Sequence, residues 1–222
     1  MKKYFIRDLG TATLILSLVL TSFFVSEPAL GLAIEDQFTV TQVVNSEISF
    51  GTTAVDVVMT PSLGGITGGT SNGTTTVVVI TNDNAGYTMT IKASSSPAMQ
   101  GNTQGSSIPD YTPTNANFPD FAYSVPSGSE FAYSVSASTT GDLAQKFKDD
   151  TSACNAGSAD TSGAASCWYA LSTTATSTIL RTTPTSASGS TSSIYFKLTI
   201  NSGAFVVEDT YVATTTLTAT TN

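Results

Sequence analysis

Apolar and polar residues alternate with a period of two in short runs along most of the chain, and this spacing favours β-strands over helices. Clusters of Gly, Asn, Asp, Pro or Ser separate the runs, and in one cluster, TNDNAG (81–86), we expect an Asx turn between two strands. Many short strands separated by turns predict an all-β chain, folded as an antiparallel β-sandwich of the immunoglobulin-like or jelly-roll type. The runs are QFTVTQVV (37–44), EISF (47–50), VDVVM (55–59), TTTVVVIT (74–81), GYTMTIKA (86–93), SIYFKLTI (193–200) and DTYVATTTLTAT (209–220).

One stretch departs from this period. The segment TTGDLAQKFKDD (139–150) contains good helix formers, with apolar residues at Leu143, Ala144 and Phe147. It predicts one short helix near 141–148. Residues 94–120 are rich in Pro, Ser, Asn and Gly, so we expect a long loop that crosses the sandwich.

The pentapeptide FAYSV occurs twice, at 121–125 and 131–135, around the segment PSGSE. A five-residue connection with Pro and Gly suits a hairpin loop, so we expect two paired strands whose Phe, Tyr and Val side chains share one face. We interpret that face as core, because monomers seldom expose an aromatic stripe. A duplicated aromatic platform for a ligand is the alternative.

The first thirty-three residues are expected to be a cleaved secretory signal peptide. A basic beginning with Lys2, Lys3 and Arg7 precedes an apolar run at 11–25, and small residues follow as far as Ala33. The apolar run is shorter than the about 20 residues that a spanning helix needs, so cleavage is favoured over an uncleaved anchor. The remaining residues, 34 to 222, are expected to form one β-sandwich domain that is secreted or held at the cell surface, with no membrane span.

The mature chain is expected to be acidic. Removal of the signal peptide leaves five basic and fourteen acidic residues, so the net charge changes from −8 to −9. Nucleic acids and anionic lipids are bound through clustered Lys and Arg, and we expect neither partner for so acidic a chain. Copies of the chain should repel one another at low salt, and divalent cations would relieve that repulsion.

The chain contains no histidine, which removes the commonest general base and the commonest metal ligand. No two acidic residues are placed by a local pattern that would support glycoside hydrolysis. We therefore expect a protein that is not an enzyme and that has no cofactor. A calcium site with oxygen ligands from Asp149, Asp150 and Asp160 stays open as an alternative, although no EF-hand spacing supports it.

Cys154 and Cys167 are the two cysteines, and in an exported chain we expect them to form a disulfide. Zinc binding by two cysteines alone is implausible. Trp168 follows the second cysteine and is expected to pack over the bridge or over the edge of a sheet. Stacking of its ring on a sugar is the alternative.

Three stretches of the chain resemble WxL-type bacterial surface proteins. In that family a strand and turn lead into a Gly-Trp-x-Leu segment, and a last strand carries Tyr followed by a second Trp-x-Leu. Here Gly86, Tyr87 and Met89 occupy the first motif, and Tyr211 and Leu217 lie at positions of the second. The resemblance implies an all-β fold, a surface location and noncovalent binding to peptidoglycan. The stretches are EISFGTTAVDVVMTPSLGG (47–65), VVVITNDNAGYTMTIKAS (77–94) and EDTYVATTTLTATTN (208–222).

The terminal strand is also similar to the last strand of fimbrial and spore-coat-type subunits. The layout as a whole is similar to camelysin/TasA-type exported proteins, in which a β-strand follows the signal peptide at once. These resemblances imply a β-sandwich subunit and no catalytic activity.

The first functional hypothesis is an exported structural protein of the cell surface that assembles with itself or with other surface proteins by strand addition. Residues 34–44, freed by cleavage, would donate the strand, with Phe38, Val40 and either Val43 or Val44 entering an acceptor groove. For the segment itself, the first strand of the domain's own sheet is favoured over a donated strand, because strands usually pair within their own domain.

The second hypothesis is a binding module for cell-wall glycan or another envelope polymer. It would use the loops at 61–73 and 94–120, where Tyr111 and Phe118 are the aromatic residues that could be exposed. So few aromatic residues in the loops favour the structural protein, and glycan binding is the alternative.

Overall fold

The structure is a computed structural model that describes residues 34–161 and 166–222. The predicted signal peptide, residues 1–33, lies outside the described residues. The chain divides into two units after Val43, and the ten strands belong to the second unit. The strands are β1 (Ile48–Thr52), β2 (Gly69–Thr81), β3 (Tyr87–Ala93), β4 (Met99–Gly101), β5 (Ser107–Ile108), β6 (Ser129–Ala137), β7 (Thr176–Arg181), β8 (Ser190–Ile200), β9 (Tyr211–Val212) and β10 (Thr215–Thr221).

The strands form three antiparallel sheets. The largest has the order β1-β2-β8-β6, the second β10-β3-β7, and the third and smallest β5-β4-β9. One apolar cluster joins Val79 and Ile194 of the largest sheet to Met89 of the second sheet and to Ile108 of the third. The predicted all-β, antiparallel, sandwich-like fold is confirmed.

Strands β2 and β8 form the centre of the largest sheet, because their pairing runs without a break from Gly69↔Ile200 to Val79↔Ser190. The burial of β8 alternates strictly along the strand, as its period-two sequence predicts. The run at 74–81 is buried on one face, while on the other face Thr74 and Thr76 are exposed and Val78 and Ile80 are half-buried. The sequence pattern therefore located these strands correctly.

One side of the sandwich is closed by residues 138–161 and 166–171, the described parts of the segment 138–171. The backbones of Tyr133 in β6 and Tyr169 exchange hydrogen bonds of 3.0 and 2.8 Å, and Ala144 donates to the carbonyl of Thr178 in β7 at 2.8 Å. The same segment buries Phe147, whose ring centroid lies 5.7 Å from that of Tyr133. The outer edges of β6 and β7 are thus both occupied.

The helix predicted near 141–148 is wrong. The described residues contain two 3-10 turns instead, Thr140–Asp142 and Gln145–Phe147, and between them Leu143 and Ala144 are extended. Leu143 forms a β-bridge to Ile179 of β7. The backbone of Leu143 and Ala144 pairs with the edge of β7, and this tertiary pairing overrides the modest helical propensity of a short segment.

The hairpin predicted from the repeat is also wrong, although its aromatic face is core. The second FAYSV copy lies in β6, where Phe131, Tyr133 and Val135 are buried. The first copy, 121–125, forms no strand, and its Tyr123 packs instead against other aromatic residues on the outer face of the largest sheet. Strand β6 pairs with β8, so identical pentapeptides take different conformations because their neighbours differ.

The strand predicted at 37–44 is absent, since residues 34–47 contain no strand in the structure. The run at 55–59 is likewise irregular. The predicted Asx turn at 81–86 is present, with the N–H of Ala85 donating to Asp83 Oδ1 at 2.8 Å. Alternation alone predicts a strand only where a partner strand is available to receive its hydrogen bonds.

The predicted disulfide is confirmed, with 5.8 Å between the Cα atoms of Cys154 and Cys167. Replacing both residues by Ala should lower the free energy of unfolding by about 3 kcal/mol, because the unfolded chain regains the freedom that the cross-link removes. Urea denaturation of both proteins would measure this loss. Treatment of the unchanged protein with a reductant should reproduce the lower midpoint, and an unaltered midpoint in the variant would contradict the prediction.

Candidate functional site: an open groove beside the last strand

An apolar groove of about 1410 Å³ lies on the inner side of the largest sheet, opposite the side that the 138–171 segment closes. Val77, Phe196 and Leu198 of β2 and β8 form its floor. Met99 and Leu217, from β4 and β10, form part of the facing wall. The groove is therefore a gap between sheets that the two flanking sheets do not fill.

Two irregular segments, 53–66 and 205–210, form the rim of the groove. The first follows the edge of β2, where the N–H of Val55 donates to Thr75 Oγ1 at 3.0 Å and the Val55 carbonyl accepts from the same hydroxyl at 3.1 Å. Farther along, Thr60 and Asn72 exchange two backbone hydrogen bonds of 2.9 Å. The two segments meet where Val206 donates its N–H to the carbonyl of Gly65 at 2.9 Å. The edge of β2 is therefore covered at separate points rather than by a full strand ladder.

Strand β10 has a free outer edge beside the groove. Just beyond its ends, Ser94 donates its N–H to the carbonyl of Thr214 (2.9 Å) and Asn222 donates to Gly86 (3.3 Å), and the register between these pairs is unbroken. Hydrogen-bonded pairs alternate with unbonded pairs in an antiparallel ladder, so even-numbered residues of β10 bond to β3. The backbone groups that point away from β3 belong to Thr215, Leu217, Ala219 and Thr221.

No strand among residues 34–161 and 166–222 pairs with this outer edge, because β10 is the last strand of its sheet. The side chain of Leu217 is half-buried and faces the core, while Thr216 and Thr218 are exposed on the other face. Strand β10 thus presents unpaired backbone groups and an apolar face together. Sequence analysis missed this edge, since nothing in the alternation of a strand tells whether it lies inside a sheet or at its border.

The predicted donor residues are strongly exposed. Phe38 is 84% exposed, Val40 83%, Val43 72% and Val44 80%. Exposure of one large apolar side chain is ordinary, whereas four within seven residues form an unusual concentration. The structure leaves this segment free of strand pairing, as a donor requires.

An acidic side chain on the rim is bound by backbone donors. The carboxylate of Asp209 accepts the N–H of Gln104 (2.9 Å), the N–H of Thr103 (3.0 Å) and the Thr103 hydroxyl (2.9 Å). These donors, Gln104 first, lower the pKa of Asp209 from 3.8 to about 2. Asp209 therefore fixes the loop after β4 against the segment that leads into β9.

The residues of the WxL-like motif lie in β3, β9 and β10 or directly before β3. Tyr87 and Met89 are completely buried in β3, while Tyr211 and Leu217 are half-buried in β9 and β10. Gly86 precedes β3 with φ +81°, and a Cβ there would lie 2.2 Å from the carbonyl oxygen of Arg181. Tyr87 thus occupies a core position.

The sole tryptophan is also a packing residue. Trp168 is 3% exposed, its ring centroid lies 5.5 Å from that of Tyr123, and Lys197 Nζ lies 4.3 Å from its ring centre. Burial lowers the pKa of Lys197. Tyr111, which we expected among the exposed loop aromatics, is buried in the same cluster, while Phe118 is 36% exposed. This arrangement leaves the Trp168 ring closed to a sugar.

The acids that we considered for calcium serve the turns around the disulfide. Asp149 is buried and accepts hydrogen bonds from Thr151 N–H and Thr161 Oγ1, both at 2.8 Å. The side chain of Asp150 accepts a hydrogen bond from the N–H of Ala153 at 2.9 Å. Asp160 directly follows Ala159, whose backbone forms a β-bridge with Asp149. Within residues 34–161 and 166–222, no group of three or more His, Cys, Asp or Glu side chains is placed to hold a metal ion.

Comparison of the chain with protein-family models, with curated proteins and with solved structures gives no match. In the part of the chain that the structure describes, no helix is long and apolar enough to cross a membrane. The resemblance to WxL-type and TasA-type proteins therefore stays a prediction.

The depressed pKa of Asp209 predicts a stability contribution that depends on pH. Its folded-state pKa lies below the ordinary value of 3.8, so the contribution is present above pH of about 4 and is lost as the pH falls toward 2. Asp209→Asn should lower the melting temperature at pH 5. The variant should also show a smaller further fall in melting temperature between pH 4 and pH 2 than the unchanged protein shows. Glu208→Gln controls for removal of a charge, because it leaves the contacts to Thr103 and Gln104 in place. Equal pH dependence in the Asn variant and the unchanged protein would contradict the prediction.

Proposed function

We propose that the protein is an exported, non-enzymatic structural protein of the cell surface or the extracellular space, whose copies join by β-strand addition. Residues 34–44 of the chain donate the strand. The observation that carries the proposal is the exposure of Phe38, Val40, Val43 and Val44 in a segment without a partner strand.

The driving force for this assembly is the burial of apolar surface. Burying one Val or Phe side chain contributes roughly 1.5–3 kcal/mol, and pairing of the backbone groups adds to that. The chain offers a groove with apolar walls as a place for such side chains. Donor and acceptor are thus both present in every copy, which is the requirement for a polymer built from identical subunits.

Charge is compatible with this assembly. The mature chain has the net charge of −9 derived above, whereas residues 37–44 contain no charged residue. The segment can therefore enter another copy without burying a charge, which would be costly. Repulsion between the acidic bodies falls as ionic strength rises, so we expect assembly to be favoured by salt and by millimolar calcium.

Deletion of residues 34–44 tests the proposal directly. Size-exclusion chromatography with light scattering would compare chains 34–222 and 45–222, with and without millimolar calcium, and negative-stain electron microscopy would image any large species. The longer chain should form defined oligomers or filaments, and the shorter chain should be monomeric.

A matched pair of triple variants separates the effect of the apolar face from that of the segment as a whole. Even-numbered positions share one face of a strand, so Phe38→Ser, Val40→Ser and Val44→Ser together should abolish assembly. Gln37→Ser, Thr39→Ser and Thr41→Ser change the opposite face and should leave assembly intact.

A chain 34–222 that stays monomeric in every buffer would overturn the proposal. Retention of that monomer on purified peptidoglycan would then support the glycan-binding alternative.

A further inference from the structure

We infer that the acceptor for the donated strand is the outer edge of β10, from Thr215 to Ala219, together with the groove beside it, and that the occupant is residues 37–44 of a second copy. This inference rests on the proposed function and adds the surface at which the copies meet.

The other strand edges of the two large sheets are less suited to receive a strand. The edge of β6 is bonded to Tyr169 and to Pro109, and the edge of β7 is bonded to Ala144. Strand β1 is five residues long, and its pairing with β2 is already irregular between Phe50 and Thr52. The edge of β2 beyond β1 is bonded to Thr60 at Asn72 and to Val55 at Thr75. Strand β10 has seven residues in continuous register with β3, and among residues 34–161 and 166–222 no strand pairs with its outer edge.

The direction of the side chains on β10 matches the donor. Residues whose backbone groups point outward also turn their side chains toward the core, as Leu217 does beside the groove. A strand that pairs with this edge would place every second side chain over the groove. The period-two positions Phe38, Val40 and Val44 supply apolar side chains at that spacing.

The size and charge of the groove also favour this occupant. Its volume of about 1410 Å³ exceeds the roughly 300–1,000 Å³ that is usual for small-molecule sites, and two irregular segments form its rim. The charged residues that line it are all acidic: Asp56, Glu208 and Asp209. Such a rim disfavours an acidic peptide and accepts the uncharged residues 37–44, while Glu35 and Asp36 would stay outside.

Replacement of Thr215 tests the edge without disturbing the existing ladder. Thr215→Pro removes an outward N–H and blocks pairing at the first residue of the strand, where proline is tolerated. Thr215→Val is the matched control, because it keeps both the N–H and the β-branched shape. We expect the proline variant to remain monomeric with its melting temperature nearly unchanged, and the valine variant to assemble as the original chain does.

Disulfide trapping tests the position and the identity of the occupant. One protein carries Thr41→Cys, and a second carries Thr216→Cys, Thr218→Cys or Thr220→Cys, each exposed on the outer face of β10. A disulfide needs Cα atoms within about 4.4–6.8 Å, so only adjacent strands will cross-link when the two proteins are mixed and oxidised. Thr74→Cys, an exposed residue of β2, is the control and should give no covalent dimer.

The outcomes distinguish failure of this inference from failure of the proposed function. Covalent dimers with at least one β10 position and none with Thr74→Cys support both. Filaments that need residues 34–44, yet form normally with Thr215→Pro and do not trap at β10, overturn the acceptor and leave strand addition standing. In a chain that carries both cysteines, a cross-link that forms only within one chain would show that a copy inserts its own segment, and it would overturn the inference that the occupant is a second copy. Absence of any assembly would overturn both the inference and the proposed function.

Discussion

The inner apolar face of the four-stranded sheet is the surface on which the rest of the structure depends. Residues of β2, β8 and β6 that point inward are buried together in one cluster with β3 and β7. Apolar area removed from water is the dominant favourable term in folding, so the chain must cover this face along its length. The second sheet covers one part and the short β4, β5 and β9 strands cover another. Between them remains the groove beside Phe196 and Leu198.

The two sides of the sandwich solve the problem of exposed strand edges differently. On one side residues 138–161 and 166–171, joined by the disulfide, bond to β6 and β7 and fill the space with Phe147. On the other side no strand of the described residues pairs with the outer edge of β10, and the 53–66 segment is attached to β2 through Thr75 and Asn72. Proteins usually protect long edges, because such edges recruit further strands. An open edge next to an apolar groove, in a chain that also exposes an apolar segment, is the arrangement on which the proposed strand addition rests.

The sequence predicted the strands whose alternation coincides with a partner. Residues 87–93 and 193–200 are strands because their apolar positions face the core and their neighbours complete the ladder. The disulfide could be predicted as well, since two cysteines in a chain that we expect to be exported leave one pairing. The helix near 141–148 and the paired FAYSV copies could not be predicted correctly. In both cases a contact with a part of the chain distant in sequence decided the conformation. Leu143 pairs with Ile179, and the second copy pairs with β8.

The sequence by itself determined that the chain forms short strands, that it has no histidine for catalysis or metal binding, and that residues 37–44 are uncharged with apolar side chains at Phe38, Val40 and Val44. These properties are local, because side-chain type and spacing set them without reference to the rest of the chain. Only the tertiary structure decided that β10 lies at a sheet border and that a groove opens beside it. Edge and interior strands have the same alternation of apolar and polar residues. They differ in whether a second strand lies beside them, and that neighbour is set by pairing between segments that are distant in sequence.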